Sequence, residues 1–207
     1  MQEFSVIARI RSDFATKFGV PRQSGLVDAL ESTIVFEPEY RNGDALRGLE
    51  GFSHIWLIWV FDKAVRDPWS PTVRPPLPPN PIGLSCVRLA GIEETAEGTV
   101  LRIRGADLMD GTPILDIKPY NPYADCKPEA LGGFASAPAG ETLEVLIPEG
   151  LLLRIPENRR ESLRGVLAQD PRPHYHDDPE RIYGFGFGGM EVKFRVAGNV
   201  LTVTDIL

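Results

Sequence analysis

Phe52-Ser53-His54-Ile55-Trp56-Leu57-Ile58-Trp59-Val60-Phe61 decides the fold class of this chain. The run is nearly continuous in apolar side chains, and it is rich in aromatic and β-branched residues. Its length suits a buried strand better than a helix. Strand-like patterns recur on both sides of it. Phe4, Val6, Ala8 and Ile10 alternate with Ser5, Ile7 and Arg9. Thr33-Ile34-Val35-Phe36 reads as a second short strand, and Ile82–Leu89 and Val100–Ile103 as further ones. In the last of these, Leu101 and Ile103 alternate with Arg102 and Arg104. Leu143, Val145 and Ile147 form another alternating set. Many short strands separated by Gly and Pro point to a β-barrel or a sandwich. Asn42-Gly43 reads as a turn, followed by one or two helical turns over Asp44–Leu49 with Asp44 as the cap.

Asp110-Gly111-Thr112-Pro113-Ile114-Leu115-Asp116-Ile117-Lys118-Pro119-Tyr120 carries the densest chemistry. Asp-Gly marks a tight turn, because Gly accepts positive φ at no steric cost. Ile114, Leu115 and Ile117 read as a buried strand, which Pro119 ends because it cannot donate to a ladder. Polar groups at the mouth of such a strand are well placed to hold a ligand. After Pro148 the pattern changes. Pro156–Gln169 is helical, with Leu163, Val166 and Leu167 on one face and Arg159, Arg160, Glu161 and Arg164 on the other. Asp170-Pro171-Arg172-Pro173 stops it. Met190–Val196 and Val200–Ile206 then form a hairpin around Ala197-Gly198-Asn199. The expected organisation is a mainly β unit over residues 1–149 with a small α+β appendage over 150–207.

Composition excludes several classes. The chain has 207 residues, 43% hydrophobic and 25% charged, ordinary values for a globular protein. No stretch approaches the roughly 20 apolar residues of a membrane helix. The start, Met1-Gln2-Glu3-Phe4, lacks the basic end and apolar core of a secretory signal. Cys86 and Cys126 have no metal-type spacing, which suits a reducing compartment. The expected location is therefore the cytoplasm, with no membrane partner. A net charge of −7 gives no global basic signature for nucleic acid, so any contact with phosphates must come from a local patch.

Few side chains offer catalysis or binding. His54 sits at the start of the Phe52–Phe61 run, next to Ser53. His174, His176, Asp177 and Asp178 are metal-type residues without a separated third ligand group, so no metal is expected. Walker and dinucleotide glycine motifs are absent. Gly184-Phe185-Gly186-Phe187-Gly188-Gly189 is not followed by a helix and reads as a bulged or twisted strand rather than a phosphate loop. The proline-rich segment from Pro68 to Pro81 reads as a stiff surface loop. Phe18-Gly19-Val20-Pro21-Arg22-Gln23-Ser24-Gly25-Leu26 is a shaped loop. In it Arg22 can grip a carboxylate and Gln23 can read an amide or a base edge.

These segments occur in one order: Pro21-Arg22-Gln23, Gly51-Phe52-Ser53-His54-Ile55-Trp56, Asn80-Pro81-Ile82-Gly83-Leu84-Ser85, Asp110-Gly111-Thr112-Pro113 and Asp116-Ile117-Lys118-Pro119-Tyr120. Together they resemble the TsaA-like (YaeB-like) family, also called TrmO. Leu167-Ala168-Gln169-Asp170-Pro171-Arg172-Pro173 resembles the C-terminal domain of its bacterial long form. The resemblance implies a small β-barrel enzyme, typically a homodimer. It implies transfer of a methyl group from S-adenosylmethionine to N6 of the threonylcarbamoyl-modified adenosine beside the anticodon in tRNA. It assigns the cofactor to Pro21, Arg22, Gln23, Ser53, His54, Leu84, Asp110, Gly111 and Thr112. Asp116, Lys118 and Tyr120 would face the same cavity, with Asp116 or Tyr120 as general base. Arg159, Arg160, Arg164 and Arg172 are the candidate tRNA contacts. One departure stands out. Val73-Arg74-Pro75-Pro76 runs almost directly into Leu77-Pro78-Pro79-Asn80, where the family carries a longer segment with a further strand and an arginine. Two rival classes are a non-catalytic cofactor- or RNA-binding member that has lost this strand, and a metal-dependent hydrolase built on His174 and His176.

Overall fold

The computed structural model describes residues 3–63, 80–133, 142–172 and 178–207. Six strands close into an antiparallel barrel in the order β1-β2-β5-β4-β3-β6. They are β1 (Ala8–Arg11), β2 (Glu31–Phe36), β3 (His54–Val60), β4 (Ile82–Thr95), β5 (Gly98–Arg104) and β6 (Pro113–Pro119). Closure is made by β1, which pairs with β2 on one side and with β6 on the other. A closed barrel leaves no unpaired edge to template another chain.

The alternation in β3 explains its place. Ile55, Leu57 and Trp59 point inward and are buried, while His54, Trp56, Ile58 and Val60 are only half-buried on the outside. The inward set packs with Ala8, Ile10, Ile34, Val87, Leu101, Ile103, Leu108 and Ile114 in the barrel core. Each such fully buried aliphatic side chain contributes about 1.5–3 kcal/mol relative to exposure. The ladder between β3 and β6 is irregular between Ile58 and Trp59. Ile58 faces Asp116 and Trp59 faces Ile114, so Leu115 is the extra residue of a bulge.

A second sheet has the order β7-β10-β9-β8, from β7 (Glu144–Leu146), β8 (Tyr183–Phe187), β9 (Met190–Ala197) and β10 (Val200–Ile206). Among the described residues three α-helices accompany the strands: α1 (Pro122–Asp125), α2 (Glu149–Leu152) and α3 (Glu157–Ala168). Leu163, Val166 and Leu167 of α3 join Phe185, Phe187, Phe194, Leu201 and Val203 in a separate core. Phe14, Val27 and Leu30 from the first thirty residues complete that core. The N-terminal loops therefore bridge the two cores. β7 lies in the second sheet, parallel to β10, although it precedes residue 150.

Several expectations need correction. The first strand begins at Ala8, and Phe4 is 71% exposed. Its alternating pattern is real, but no partner strand covers its first residues. The cap of the short 3-10 turn Gly43–Leu46 is Asn42, whose side chain accepts from the Asp44 amide. The Asp44 carboxylate instead takes the Arg47 guanidinium. β4 runs on to Thr95, past Leu89, because it continues to pair with β5 beyond a register shift between Leu89 and Gly91. Tyr183–Phe187 is a true strand, and the Gly188-Gly189 pair turns it into β9 with both residues at positive φ. The segment 64–79 and the His174–Asp177 stretch lie outside the described residues.

Candidate functional site

Register places five of the expected residues on one outer face of the barrel. Directly opposed residues of antiparallel strands point to the same side. Trp56 lies between Lys118 and Cys86, Ile58 between Asp116 and Leu84, and His54 opposite Arg88. Tyr120 follows at the end of β6, where its amide donates to the His54 carbonyl at 3.0 Å. His54, Leu84, Asp116, Lys118 and Tyr120 therefore share this face, with the His54–Tyr120 end roughly 13 Å along the strands from Leu84 and Asp116. Lys118 Nζ meets Asp116 Oδ2 at 2.7 Å, so the two charges are spent partly on each other. The Tyr120 ring makes an edge contact with His54 and a tilted one with Trp56, with centroids 6.1 and 5.7 Å away. Ser53 Oγ and His54 Nδ1 are 2.9 Å apart. Loss of solvent around the Tyr120 ring, with the nearby Cys126, Cys86 and Asp125, raises its phenol above the ordinary value. Burial, with the charge of Asp125, raises the Cys86 thiol as well.

The face is apolar where it is open. Leu84 is 62% exposed and Ile82 42% exposed. At its lower edge the Trp56 indole donates to Asp125 Oδ2 at 2.9 Å. The Asn121 amide and that indole hold the Asp125 carboxyl below its ordinary range. At the opposite edge Arg88 pairs with Asp28 at 3.2 Å. This contact connects the face to the loop that begins at Pro21.

That loop presents its polar side chains to solvent. Pro21 is buried, while Arg22 and Gln23 are exposed. Among the described residues Arg22 makes no hydrogen bond or ion pair with the protein; its charge acts on Asp170. Arg22 lines a groove of about 120 Å³ with Lys17, Phe18, Gln169, Asp170 and Arg172. An anion-binding fork with no protein partner suits a carboxylate from a ligand.

The Asp110-Gly111-Thr112 turn lies elsewhere. Its side chains are committed to the fold: the Ser12 amide donates to Asp110 Oδ1 at 3.1 Å, and Thr112 Oγ1 donates to the Met109 carbonyl at 2.8 Å. Arg9 and Lys63 donate to the carbonyls of Gly111 and Asp110. Gly111 has φ +77, and a Cβ there would meet only open space. The turn and Tyr120 sit at opposite ends of β6, whose seven residues span roughly 20 Å. Asp116, Lys118 and Tyr120 thus lie on the outer wall, and one chain does not bring them to the Asp110 turn in a single cavity.

The four arginines expected to reach tRNA are all engaged. Arg159 pairs with Asp13 at 3.0 Å and Arg172 with Asp170 at 2.8 Å. Arg160 donates to the Ile155 carbonyl and Arg164 to the Val145 carbonyl. Among the described residues no group of three or more metal-type side chains could hold an ion. No described helix is long and apolar enough to cross a membrane.

Sequence reasoning passed over Asp107. Ser85 Oγ donates to its Oδ1 at 2.6 Å, and the Trp59 indole donates to Ser85 Oγ at 3.0 Å. The lone acid between buried Ala106 and Leu108 was the available signal.

A model of the tRNA-methyltransferase O N-terminal domain matches residues 9–126, and one of the TrmO C-terminal domain matches residues 150–207. The chain belongs to the tRNA-methyltransferase O family. It is 40% identical to the tRNA (adenine(37)-N6)-methyltransferase of Escherichia coli K12, over 94% of this chain and 93% of that one. A putative S-adenosylmethionine-dependent methyltransferase of Pseudomonas aeruginosa is 37% identical over 98% of this chain and 96% of its own length. The crystal structure of TrmO from Pseudomonas aeruginosa superposes with a TM-score of 0.84, at 37% identity, covering all of this chain and 98% of that one. The barrel and the second sheet are thus both features of the TrmO family.

Proposed function

We propose that this TrmO-family chain transfers a methyl group from S-adenosylmethionine to N6 of adenine 37 in tRNA, the reaction in the name of its E. coli relative. The observation that carries this reading is the 40% identity across both units of the chain. We further propose that the accepted nucleoside is threonylcarbamoyladenosine and that the enzyme works in the cytoplasm, where its two free thiols remain reduced.

The residues present fit the cofactor's chemistry. The unpartnered guanidinium of Arg22 suits the carboxylate of its amino-acid end. The open apolar side chain of Leu84 suits an adenine face. When bound, S-adenosylmethionine supplies an electrophilic methyl group on a sulfonium. Pro21, Arg22, Gln23, Ser53, His54, Leu84, Asp110, Gly111 and Thr112 remain the proposed cofactor residues. The protein's main task is to hold the two reactants in line, which is worth up to about 7–11 kcal/mol of barrier. The nucleophilic nitrogen carries a proton that must leave. Asp116 is the better base, because the raised phenol of Tyr120 keeps its proton. Tyr120 then serves as hydrogen-bond donor and stacking surface, and Lys118 steadies the Asp116 carboxylate at 2.7 Å.

We propose a homodimer through the outer face of β3, β4 and β6. The exposure of Ile82 and Leu84 there supports it. So does the roughly 20 Å that separates the proposed site residues within one chain, since a two-fold axis can bring opposite ends of two strands together. For tRNA, Arg160 and Arg164 carry the reading, because Arg159 and Arg172 are neutralised by carboxylates. The division into units 1–149 and 150–207 is likewise proposed, with β7 lent by the first to the sheet of the second.

Incubation with S-adenosylmethionine and tRNA, followed by nucleoside mass spectrometry, tests the activity. The expected product is methylated threonylcarbamoyladenosine, formed only from tRNA that already bears the threonylcarbamoyl group. Absence of methyl transfer to any tRNA would refute the assignment.

A further inference from the structure

The aromatic and glycine stretch Tyr183–Gly189 has no part in the methyl-transfer reading, yet it grips the segment that carries Arg22. It forms β8, the outer strand of the second sheet, and the turn into β9. Tyr183, Phe185 and Phe187 alternate inward and are buried, while Gly184 and Gly186 fall on the other face. The connection from β1 to β2 packs on the inward rings. Phe14 meets Phe187 edge-on with centroids 5.5 Å apart, and Phe18 meets Phe185 in the same way at 6.2 Å. The Gly188 amide donates to the Asp13 carbonyl at 2.8 Å. Gly19 lies so close to Phe185 that a Cβ would collide with the ring, and its φ of +90 is one that other residues rarely adopt. From that contact to Arg22 the chain has little slack: Val20 packs on the same core and Pro21 is buried. Arg22 is the first exposed residue after Gly19. Beyond it, Val27 rests on Gly165 of α3, where a Cβ would come within 2.6 Å of its side chain. The groove beside Arg22 thus has one wall from this connection and the other from Val166 and Gln169–Arg172.

We propose that β8 is a clamp for the cofactor loop and that Phe185 is a positioning residue, holding Gly19 and, through Val20 and Pro21, setting where Arg22 leaves the backbone at the groove. The identity of the ligand rests on the proposed methyl-transfer reading, but the clamp does not. Ordering the loop before the ligand arrives removes an entropic penalty from binding. The effect therefore belongs to affinity rather than to the chemical step. The rings suit this task because an edge-on aromatic pair fixes both distance and orientation.

The test uses the full chain as wild type, Phe185→Leu, Phe18→Leu, Val203→Ala, Arg22→Ala and the double variant of Phe185→Leu with Arg22→Ala. Phe185→Leu keeps the core apolar but withdraws the ring from Gly19. Val203→Ala is the control, because it loosens the same core from β10, which β9 separates from β8. Calorimetric titration reads the Kd for S-adenosylmethionine, thermal unfolding reads stability, and hydrogen exchange without cofactor reads residues 17–26. Phe185→Leu is expected to raise Kd about tenfold and to quicken exchange over 17–26. Its kcat with saturating cofactor and tRNA should stay within about twofold. Val203→Ala should lower the melting temperature as well, yet leave Kd within about twofold. Because Phe185 acts through Arg22, adding Phe185→Leu to Arg22→Ala should raise Kd by less than about twofold. Phe18 is only half-buried, so Phe18→Leu carries the test in the same direction if Phe185→Leu does not fold. Unchanged Kd in the folded variants overturns the proposal. So does a full tenfold loss in the Arg22→Ala background, or an equal loss in Val203→Ala. A wild type that binds no S-adenosylmethionine refutes the proposed function instead, and exchange over residues 17–26 then decides the clamp.

Discussion

Arg22 and the arginines of the C-terminal unit look alike in the sequence and differ in the fold. Arg22 lies exposed beside a small groove with no protein hydrogen bond among the described residues. Arg159, Arg160, Arg164 and Arg172 all donate within the protein. The Arg172 side chain is 13% exposed and grips Asp170 with two nitrogens. A guanidinium already satisfied by the protein stabilises the fold, and diverting it to a ligand costs those bonds. A guanidinium without a partner is available to a ligand at no such cost. The contrast supports the proposed ligand role of Arg22 and leaves Arg159 and Arg172 with ion pairs inside the protein, while Arg160 and Arg164 are bonded only to carbonyls.

The contrast can be broken by substitution. The largest effect is expected at Arg22→Ala, with S-adenosylmethionine affinity falling about ten- to a hundredfold, as loss of charge-assisted hydrogen bonds worth about 1.5–3 kcal/mol implies. Its melting temperature should match wild type, and calorimetric titration that finds equal affinity would remove Arg22 from the site. Arg172→Ala should instead lower unfolding free energy by about 1–3 kcal/mol, because it strands a partly buried Asp170 carboxylate. This loss depends on pH. Burial pushes the Asp170 carboxyl up, but the hydrogen bonds and charge of Arg172, with the charge of Arg22, outweigh it and hold it below the ordinary range. A depressed carboxylate stabilises the fold above its unfolded value of about 4 and loses that contribution as pH falls through the folded value. Urea titrations of both proteins should therefore differ at neutral pH and converge in strong acid; a gap independent of pH would disprove the ion pair's role. Arg159→Ala should cost about 1–2 kcal/mol, because the Arg159 side chain is more exposed than that of Arg172 but the Asp13 carboxylate it would strand is only 16% exposed. The smallest stability change is expected for Arg160→Glu with Arg164→Glu, since both lose only bonds to carbonyls. That double variant should weaken tRNA binding and flatten its salt dependence. Unchanged binding at every salt concentration would leave the helix without a tRNA contact.

Much of the fold could be read in advance because burial writes a period into the chain. The alternation of Ile55, Leu57 and Trp59, of Leu101 and Ile103, and of Val192, Phe194 and Val196 follows from strands with one buried face. The helix over Glu157–Ala168 announced itself by the spacing of Leu163, Val166 and Leu167. What failed were the points where a partner decides the outcome. Phe4 continued the pattern of β1 but found no strand to pair with. β7 was visible as a strand, yet its parallel pairing with β10 depends on a return of the chain more than fifty residues later. The site was less legible. Asp116, Lys118, His54 and Leu84 share a face only because antiparallel register aligns β6, β3 and β4.

The sequence by itself determined that this chain is mainly β, that a helix precedes a final hairpin, and, through its ordered motifs, that it resembles the TrmO family. Those properties depend on local period and residue identity, which a linear string contains. Only the tertiary structure decided which charged groups are free. Arg22 and Arg172 have the same side chain, and Asp107 and Asp110 stand three residues apart. Yet one arginine meets solvent and the other a carboxylate, while Asp107 accepts the buried Ser85 hydroxyl of β4 and Asp110 accepts the Ser12 amide. The energy of a polar group depends on the donors and acceptors that folding brings to it, and those come from distant parts of the chain.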